Sequence, residues 1–460
     1  MIAGLSRLAA GAALCICCQW ATAEAQTTLA PDELRAAATV ALRGSDAPTA
    51  RAYAEALVAR DPDDLNAHLI LARAARDMGD IPPAREAARA AWHLADTDAE
   101  RYSAALITAQ VLSSDGKRTR AQLWLRRAAQ YAPNDLLRER AKRDFRYVRM
   151  RNPWQTDLTF TFAPNSNINN GSARDRSRLN YVISELLFGE PIEFDLDDAA
   201  QAISGIEIGG SMRTRYRFHQ TPDTAHDAKL SLSYRTFQIT DDLADDSITG
   251  SDFAFGALAA GYGYRRLNLE RKGEFAFDVE GGQTWYSGSR YASYLRGQAQ
   301  QSWQVSPSQK FRFGGELERQ WGQATPDLDT VELSASVTQG FASGNSGYLG
   351  IFAKATTSPD PTSEYTEVTL RTGLALSKPI FGASVQFGLG ASWRDYDISR
   401  DSPDGRQDNR IFADVTATFT QIDYYGFNPS VTLSASSTDS NIGLYDVNRV
   451  GLNIGIRSSF

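Results

Sequence analysis

A chain of 460 residues exceeds what one ordinary core organises, and its two halves differ so much in residue usage that they read as separate domains. The formal net charge of -7 at pH 7 sets aside nucleic acid as a partner. The negative mean hydropathy sets aside helical membrane spans, since past the N-terminus no apolar run approaches the roughly 18 residues such a helix needs.

Residues 1–25 read as a secretory signal: Arg7 supplies the charge, Leu8 to Trp20 the apolar run, and Ala23-Glu24-Ala25 the cleavage site. Cys15, Cys17 and Cys18 are the only cysteines and fall inside that segment, so the exported chain is expected to hold no disulfide, thiolate metal ligand or cysteine nucleophile. Leu14 before Cys15 and Ile16 before Cys17 stand where a lipidation signal carries a small residue, which argues against an N-terminal lipid anchor.

From 26 to 151, Ala and Leu recur at three- and four-residue steps, which predicts helices. Gly79-Asp80 returns as Gly116-Lys117, and the same step carries Ala84 to Ala121 and Ala91 to Ala128. Ala50 and Pro62 mark an earlier partial copy. Small Ala72, Ala84 and Ala109, turn residues Gly79 and Gly116, and closing Pro62 and Pro133 resemble the tetratricopeptide pattern. A short α-solenoid of helical hairpins is expected. The resemblance puts the first helix of each repeat on the concave face, and with it Asn66, Arg73, Arg76 and Gln110. These residues are either a groove for another polypeptide or the solvated faces of a spacer. The basic run Arg138, Arg140, Lys142, Arg143, Arg146, Arg149 and Arg151 is likewise either a solvated face or a contact for anionic headgroups.

At Asn152-Pro153-Trp154 the apolar spacing changes from the helical period to the strand period. Pro153 disfavours helical geometry at Asn152, and Leu158, Phe160 and Phe162 then alternate with Thr159 and Thr161. A connection from about 163 to 202 follows, holding Asn165-Ser166-Asn167-Ile168-Asn169-Asn170 and a short helix near Leu179–Phe188. So long a loop is expected to plug the pore or to lie across its mouth.

Alternating strands are predicted near 156–162, 203–218, 228–238, 252–266, 274–286, 291–304, 310–321, 330–340, 347–356, 365–377, 383–396, 410–420, 427–436 and 447–460. Any one of them also suits a soluble sandwich, but the set of about fourteen predicts a transmembrane antiparallel β-barrel over 152–460. Short connections such as 305–309 and 378–382 are assigned to the periplasmic side. The longer acidic ones, with Asp241, Asp242, Asp245 and Asp246 or Asp397, Asp401, Asp404 and Asp408, are assigned to the outside. The acidic loops suit bridging by divalent cations to lipopolysaccharide or, equally, simple solubility. Trp285, Tyr286, Tyr291, Tyr294, Trp321, Trp393 and Tyr396 suit an interfacial girdle. In the last strand Leu452, Ile454, Ile456 and Phe460 share one face, and Asn453, Gly455 and Phe460 resemble the signal read by the barrel-assembly machinery, although Ser458 stands where an apolar residue is usual.

The leader, the tetratricopeptide-like part, the Asn-Pro-Trp junction and the run Ala163-Pro164-Asn165-Ser166-Asn167-Ile168-Asn169-Asn170-Gly171-Ser172 opening a barrel together resemble the surface lipoprotein assembly modifiers, called Slam proteins. The resemblance covers nearly the whole mature chain. It implies an outer-membrane translocator that delivers surface lipoproteins or secreted haem-binding proteins from periplasm to cell surface. The helical domain would engage substrate or its periplasmic chaperone, and the barrel would form the path.

A lipid anchor costs about 0.8 kcal/mol per CH₂ to expose to water, so an acyl chain should leave through a seam that opens to lipid. The first strand is expected to be short and the last carries Gly451 and Gly455, so this pair is the candidate gate, with Asn165 to Asn170 organising its outer end. The bland alternative is that the Asn run is a turn needed only for folding. A polysaccharide exporter and a plugged porin-like channel are the other readings. His68, His93, His219 and His226 suit neither surface catalysis nor metal ligation, so no enzyme, cofactor or metal is expected, and the chain is expected to be a monomer.

Overall fold

The structure is a computed structural model and describes residues 29–190, 192–245 and 247–458, with the side chain of Ser458 outside the description. The leader and Phe460 therefore lie outside the described residues, as does Asp246 of the acidic loop. The chain divides into two compact units, one through Ala95 and one from Asp96 onward.

The first unit is four helices, α1 Pro31–Arg43, α2 Ala47–Arg60, α3 Leu65–Asp77 and α4 Ile81–Leu94. Alanines fill the contacts between them: Ala50, Ala54, Ala72, Ala74, Ala84 and Ala91 are fully buried, so neighbouring backbones approach closely. Arg35 of α1 reaches Asp64 at 2.6 Å, and Arg51 of α2 reaches Asp80 at 2.8 Å, so a helix's arginine twice ties the residue that starts the helix two places on. Burial alone would raise the Asp64 carboxyl, but the Arg35 guanidinium and the Ala67 N–H outweigh it and hold its pKa below the usual aspartate value. Gly79 ends α3 at φ +80, and Gly116 holds the same left-handed position after a later helix at φ +74. That conformation is why glycine recurs at this step of the repeat.

The second unit opens with α5 Asp98–Ser114, α6 Arg118–Gln130 and α7 Asp135–Arg151. Thr97 and Glu100 form a capping box at the start of α5, and Leu112, Ala121, Leu125, Phe145 and Val148 form the core between the three helices. Helix α7 stops at Asn152, before Pro153, and Arg140, Arg143, Arg146, Arg149 and Arg151 of its basic run are exposed.

The strands are β1 Trp154–Asn165, β2 Arg176–Arg178, β3 Glu193–Asp195, β4 Gly205–Gln220, β5 Thr224–Ile239, β6 Phe255–Asn268, β7 Gly273–Tyr286, β8 Ser289–Ser306, β9 Gln309–Gly322, β10 Leu328–Gly340, β11 Ser346–Thr357, β12 Tyr365–Ala375, β13 Ala383–Tyr396, β14 Arg406–Phe419, β15 Phe427–Ser440 and β16 Val447–Ser458. All but β2 and β3 form one closed antiparallel barrel in which β1 lies between β4 and β16. The fourteen predicted strands are the fourteen of the barrel. Leu158, Phe160, Phe162, Leu317, Leu333, Leu349, Leu389, Ile454 and Ile456 are exposed on its outer surface, while charged residues on the alternate positions line the inside. A closed barrel with an apolar outside is the one sheet that can stand in lipid, because closure leaves no edge unpaired.

Two expectations need correction. The first strand is not short: β1 has 12 residues and pairs with β4 from Trp154 opposite Tyr216 to Asn165 opposite Gly205. Its ends do not alternate in sequence, but the neighbouring strand supplies the ladder. Tyr294 and Tyr396 do not join a lipid-facing girdle. They line the interior, Tyr294 beside Arg296 and Tyr396 against Tyr365 and Arg406.

Candidate functional site

The Asn-rich motif sits where β1 leaves the barrel wall. The Asn165 carboxamide oxygen accepts from the Asn167 N–H at 3.0 Å, closing a turn in which a side chain mimics the backbone. Asn167 is fully buried; its amide bridges both backbone groups of Gly171, at 2.8 and 2.9 Å, and donates to the Asn448 carbonyl at 3.2 Å. Asn169 turns the other way, donating to the carbonyls of Ala199 and Gln201 at 3.0 and 2.6 Å and accepting from the Ile203 N–H at 3.0 Å. Ile168 packs on Ile203 and Phe237. A planar amide offers donors and an acceptor at once, so it can replace a strand neighbour where the ladder ends. At Gly171 a Cβ would lie 2.1 Å from the Gln201 carbonyl oxygen, so no larger residue fits there.

The motif thus ties the end of β1 to both neighbours. Toward β16, the Ser166 N–H donates to the Val450 carbonyl at 3.0 Å, the Val450 N–H donates to the Ser166 hydroxyl at 2.8 Å, and Arg449 donates to the Asn167 carbonyl at 2.9 Å and to the Asn170 side chain at 3.2 Å. Below it, β1 and β16 pair with Phe162 opposite Ile454 and Asn165 opposite Gly451. That register, with the Ser166–Val450 bond, turns the backbone groups of even-numbered β1 residues toward β16. Pro164 is one of them. Having no N–H, it removes a donor from this seam at the position opposite Leu452.

The segment 166–204 continues as a cover. It carries the β2–β3 hairpin and α8 Tyr181–Phe188, and its partners are turns at strand ends. Ser172 donates to the Gly443 carbonyl at 2.8 Å, Arg174 pairs with Asp446, and the Leu444 N–H donates to the Ser177 hydroxyl at 2.8 Å. The Asn180 N–H donates to Asp401 at 2.8 Å. The cover crosses the ends of β16 and β15 to reach the loop 397–405, which is the geometry of a lid. Val182, Ile183, Leu186, Leu187 and Phe188 of α8 are exposed, Leu186 to 82%.

Inside, charges oppose one another from strand to strand. Glu316, Glu332, Lys354, Glu367, Arg394 and Asp408 stand directly opposite in turn from β9 to β14. Lys354 meets Glu332 at 3.2 Å and Arg394 meets Glu367 at 2.5 Å. One row away, Arg296 gathers Glu280, Glu316 and Glu318 at 3.3, 3.2 and 2.5 Å. Such a wall is wet and polar.

At the opposite end, α6 grips the turn between β14 and β15. Arg126, only 8% exposed, donates to the carbonyls of Tyr425 and Gly426 at 3.0 and 2.9 Å and lies 4.1 Å over the Phe427 ring. Burial pushes its pKa down to about 10. The Tyr425 N–H donates to Gln130 at 2.9 Å, and the Tyr131 and Tyr425 hydroxyls meet at 3.2 Å. Sequence reading missed this clasp, since nothing local marks an arginine that will be buried against a turn some 300 residues on.

Of the groove candidates, Asn66, Arg73 and Arg76 lie on α3 of the first unit, with both arginines beside Asp77, at 3.8 and 2.5 Å. Gln110 lies on α5 of the second unit. Asn453 and Gly455 face inward on β16, opposite Thr432 and Ser430. Among the described residues no group of histidine, cysteine and carboxylate side chains is arranged to hold a metal. His226 instead meets the Tyr262 hydroxyl at 2.7 Å and the edge of His219.

No family model matches the chain, and no curated protein does. Among solved structures, the type III secretion translocator chaperone SycD of Yersinia enterocolitica is similar at 18% identity over 26% of this chain and 83% of its own, with a TM-score of 0.24. A bacterial polysaccharide outer membrane secretin is similar at 8% identity over 65% of this chain and 98% of its own, TM-score 0.32. A loop L8 deletion mutant of OmpT, an outer membrane protein of Vibrio cholerae, is similar at 9% identity over 66% and 99%, TM-score 0.33. Likenesses this distant do not bear on what the chain binds or moves.

Proposed function

We propose that the chain is an outer-membrane translocator of the surface lipoprotein assembly modifier type, which passes a lipoprotein or a secreted haem-binding protein to the cell surface. The observation that carries this reading is the seam between β1 and β16. One strand-to-strand donor is missing there at Pro164, and the outer end is held by side chains of the Asn-rich motif, with Ser166, Asn167 and Asn170 fastening β1 to β16. Side-chain fastenings exchange more readily than a continuous backbone ladder. A seam of that kind gives an acyl chain a way into lipid, while the polar wall offers the polypeptide an aqueous path.

In this reading the helices lie in the periplasm and receive substrate or its chaperone, and the lid and long loops face outward. The chain acts without catalysis; substrate handover and folding outside supply the driving force. The test is surface display. The chain is expressed with candidate lipoproteins in a host without a relative, and intact cells are probed with antibody to each candidate. Display that requires this chain supports the proposal. Candidates retained in the periplasm beside a folded barrel would overturn it in favour of small-molecule or polysaccharide export.

A further inference from the structure

Under the Asn-rich motif the inner wall encloses a recess of about 330 Å³, at the small end of the roughly 300–1,000 Å³ typical of small-molecule sites. Four arginines line it, Arg394, Arg406, Arg410 and Arg449, against two carboxylates, Glu367 and Asp408. Both carboxylates are engaged, Glu367 by Arg394 at 2.5 Å and Asp408 by Arg406 at 2.6 Å. Arg449 donates only to neutral oxygens of Asn167 and Asn170, and Arg410 lies 5.3 Å from the Phe412 ring. Among the described residues neither has a carboxylate within ion-pair distance. Two guanidinium charges thus share one concave recess with no carboxylate in direct contact with either.

We propose that this recess is a binding site for a small oxyanion carrying two negative charges, a phosphate or a dicarboxylate. A guanidinium presents paired N–H donors that match either group, and two cations on one concave wall raise the local concentration of anions. Thr438 stands opposite Arg410 and Ser436 opposite Arg449, adding hydroxyl donors to the same wall. Because Arg449 also holds Asn167 and Asn170, a bound anion draws on the arginine that fastens the motif, which couples the site to the lid. Nothing in this assignment depends on what the barrel transports.

The test is titration calorimetry of the full chain in detergent with inorganic phosphate and, separately, succinate at low ionic strength. Saturable binding of at least one probe at a single site is expected. Binding should weaken at least tenfold in R410Q and on raising salt, less in R410K, and not at all in R296Q, whose charge is enclosed by three glutamates. R449Q repeats the loss from the neighbouring strand should R410Q not fold. The probe that binds identifies the ligand chemistry. Failure of both probes to saturate wild type, or wild-type affinity in R410Q and R449Q, would overturn the assignment.

Discussion

A single amide shows how side chains close this barrel. Asn167 is fully buried and makes three hydrogen bonds to backbone, two as donor to the carbonyls of Gly171 and Asn448 and one as acceptor from the Gly171 N–H. Asn167→Asp keeps the shape and replaces the donor by an acceptor, so two buried carbonyls lose their partner and face a negative charge. Each unsatisfied group costs about 1–3 kcal/mol, and the lid should open more readily by that order. Limited proteolysis should then cut within 166–204 faster than in wild type, with the barrel core intact; an unchanged rate would remove Asn167 from the latch. The motif was legible as a turn or as the organiser of the outer end of the seam. Its two-sided wiring was not, because its partners Asn448 and Arg449 lie at the far end of the sequence and are brought near only when the barrel closes.

The strands were the most legible elements, because alternation such as Leu158, Phe160 and Phe162 against Thr159 and Thr161 reports the pleat directly. Strand ends were harder. Trp154 to Asp157 and Ala163 to Asn165 break the alternation, and Pro164 reads as a stop, yet β4 recruits all of them into its ladder. Facing was also lost at Tyr294 and Tyr396, because an aromatic near a strand end suits a polar lumen as well as a headgroup layer. Pro164 makes the seam testable at this scale. Pro164→Ala restores an N–H toward β16 and should add a bond worth about 1 kcal/mol. Amides of 450–456 in β16 should then exchange with deuterium more slowly, whereas exchange unchanged from wild type would show that the missing donor does not weaken the seam.

Over the whole molecule, the two ends of the second unit are built differently. At one end, the buried Arg126 and the Tyr131–Tyr425 contact fix α6 to the turn before β15. At the other, a long cover is fastened by Arg174 to the buried Asp446, by the Asn180 N–H to the buried Asp401 and by the amides of the motif, separate side-chain contacts in place of a continuous ladder. Motion is therefore expected at the lid and the β1–β16 seam, while α6 holds its place against the turn between β14 and β15. The decisive measurement is a lock on that seam. Phe162 and Ile454 are direct partners across it, and Phe162→Cys with Ile454→Cys would join β1 to β16 by a disulfide, with Cα atoms spaced as neighbouring strands allow. If the seam is the exit, oxidised cells should lose surface display of a lipidated substrate and regain it on reduction, with each single cysteine variant exporting normally. Full display from a quantitatively cross-linked barrel would contradict the lateral path.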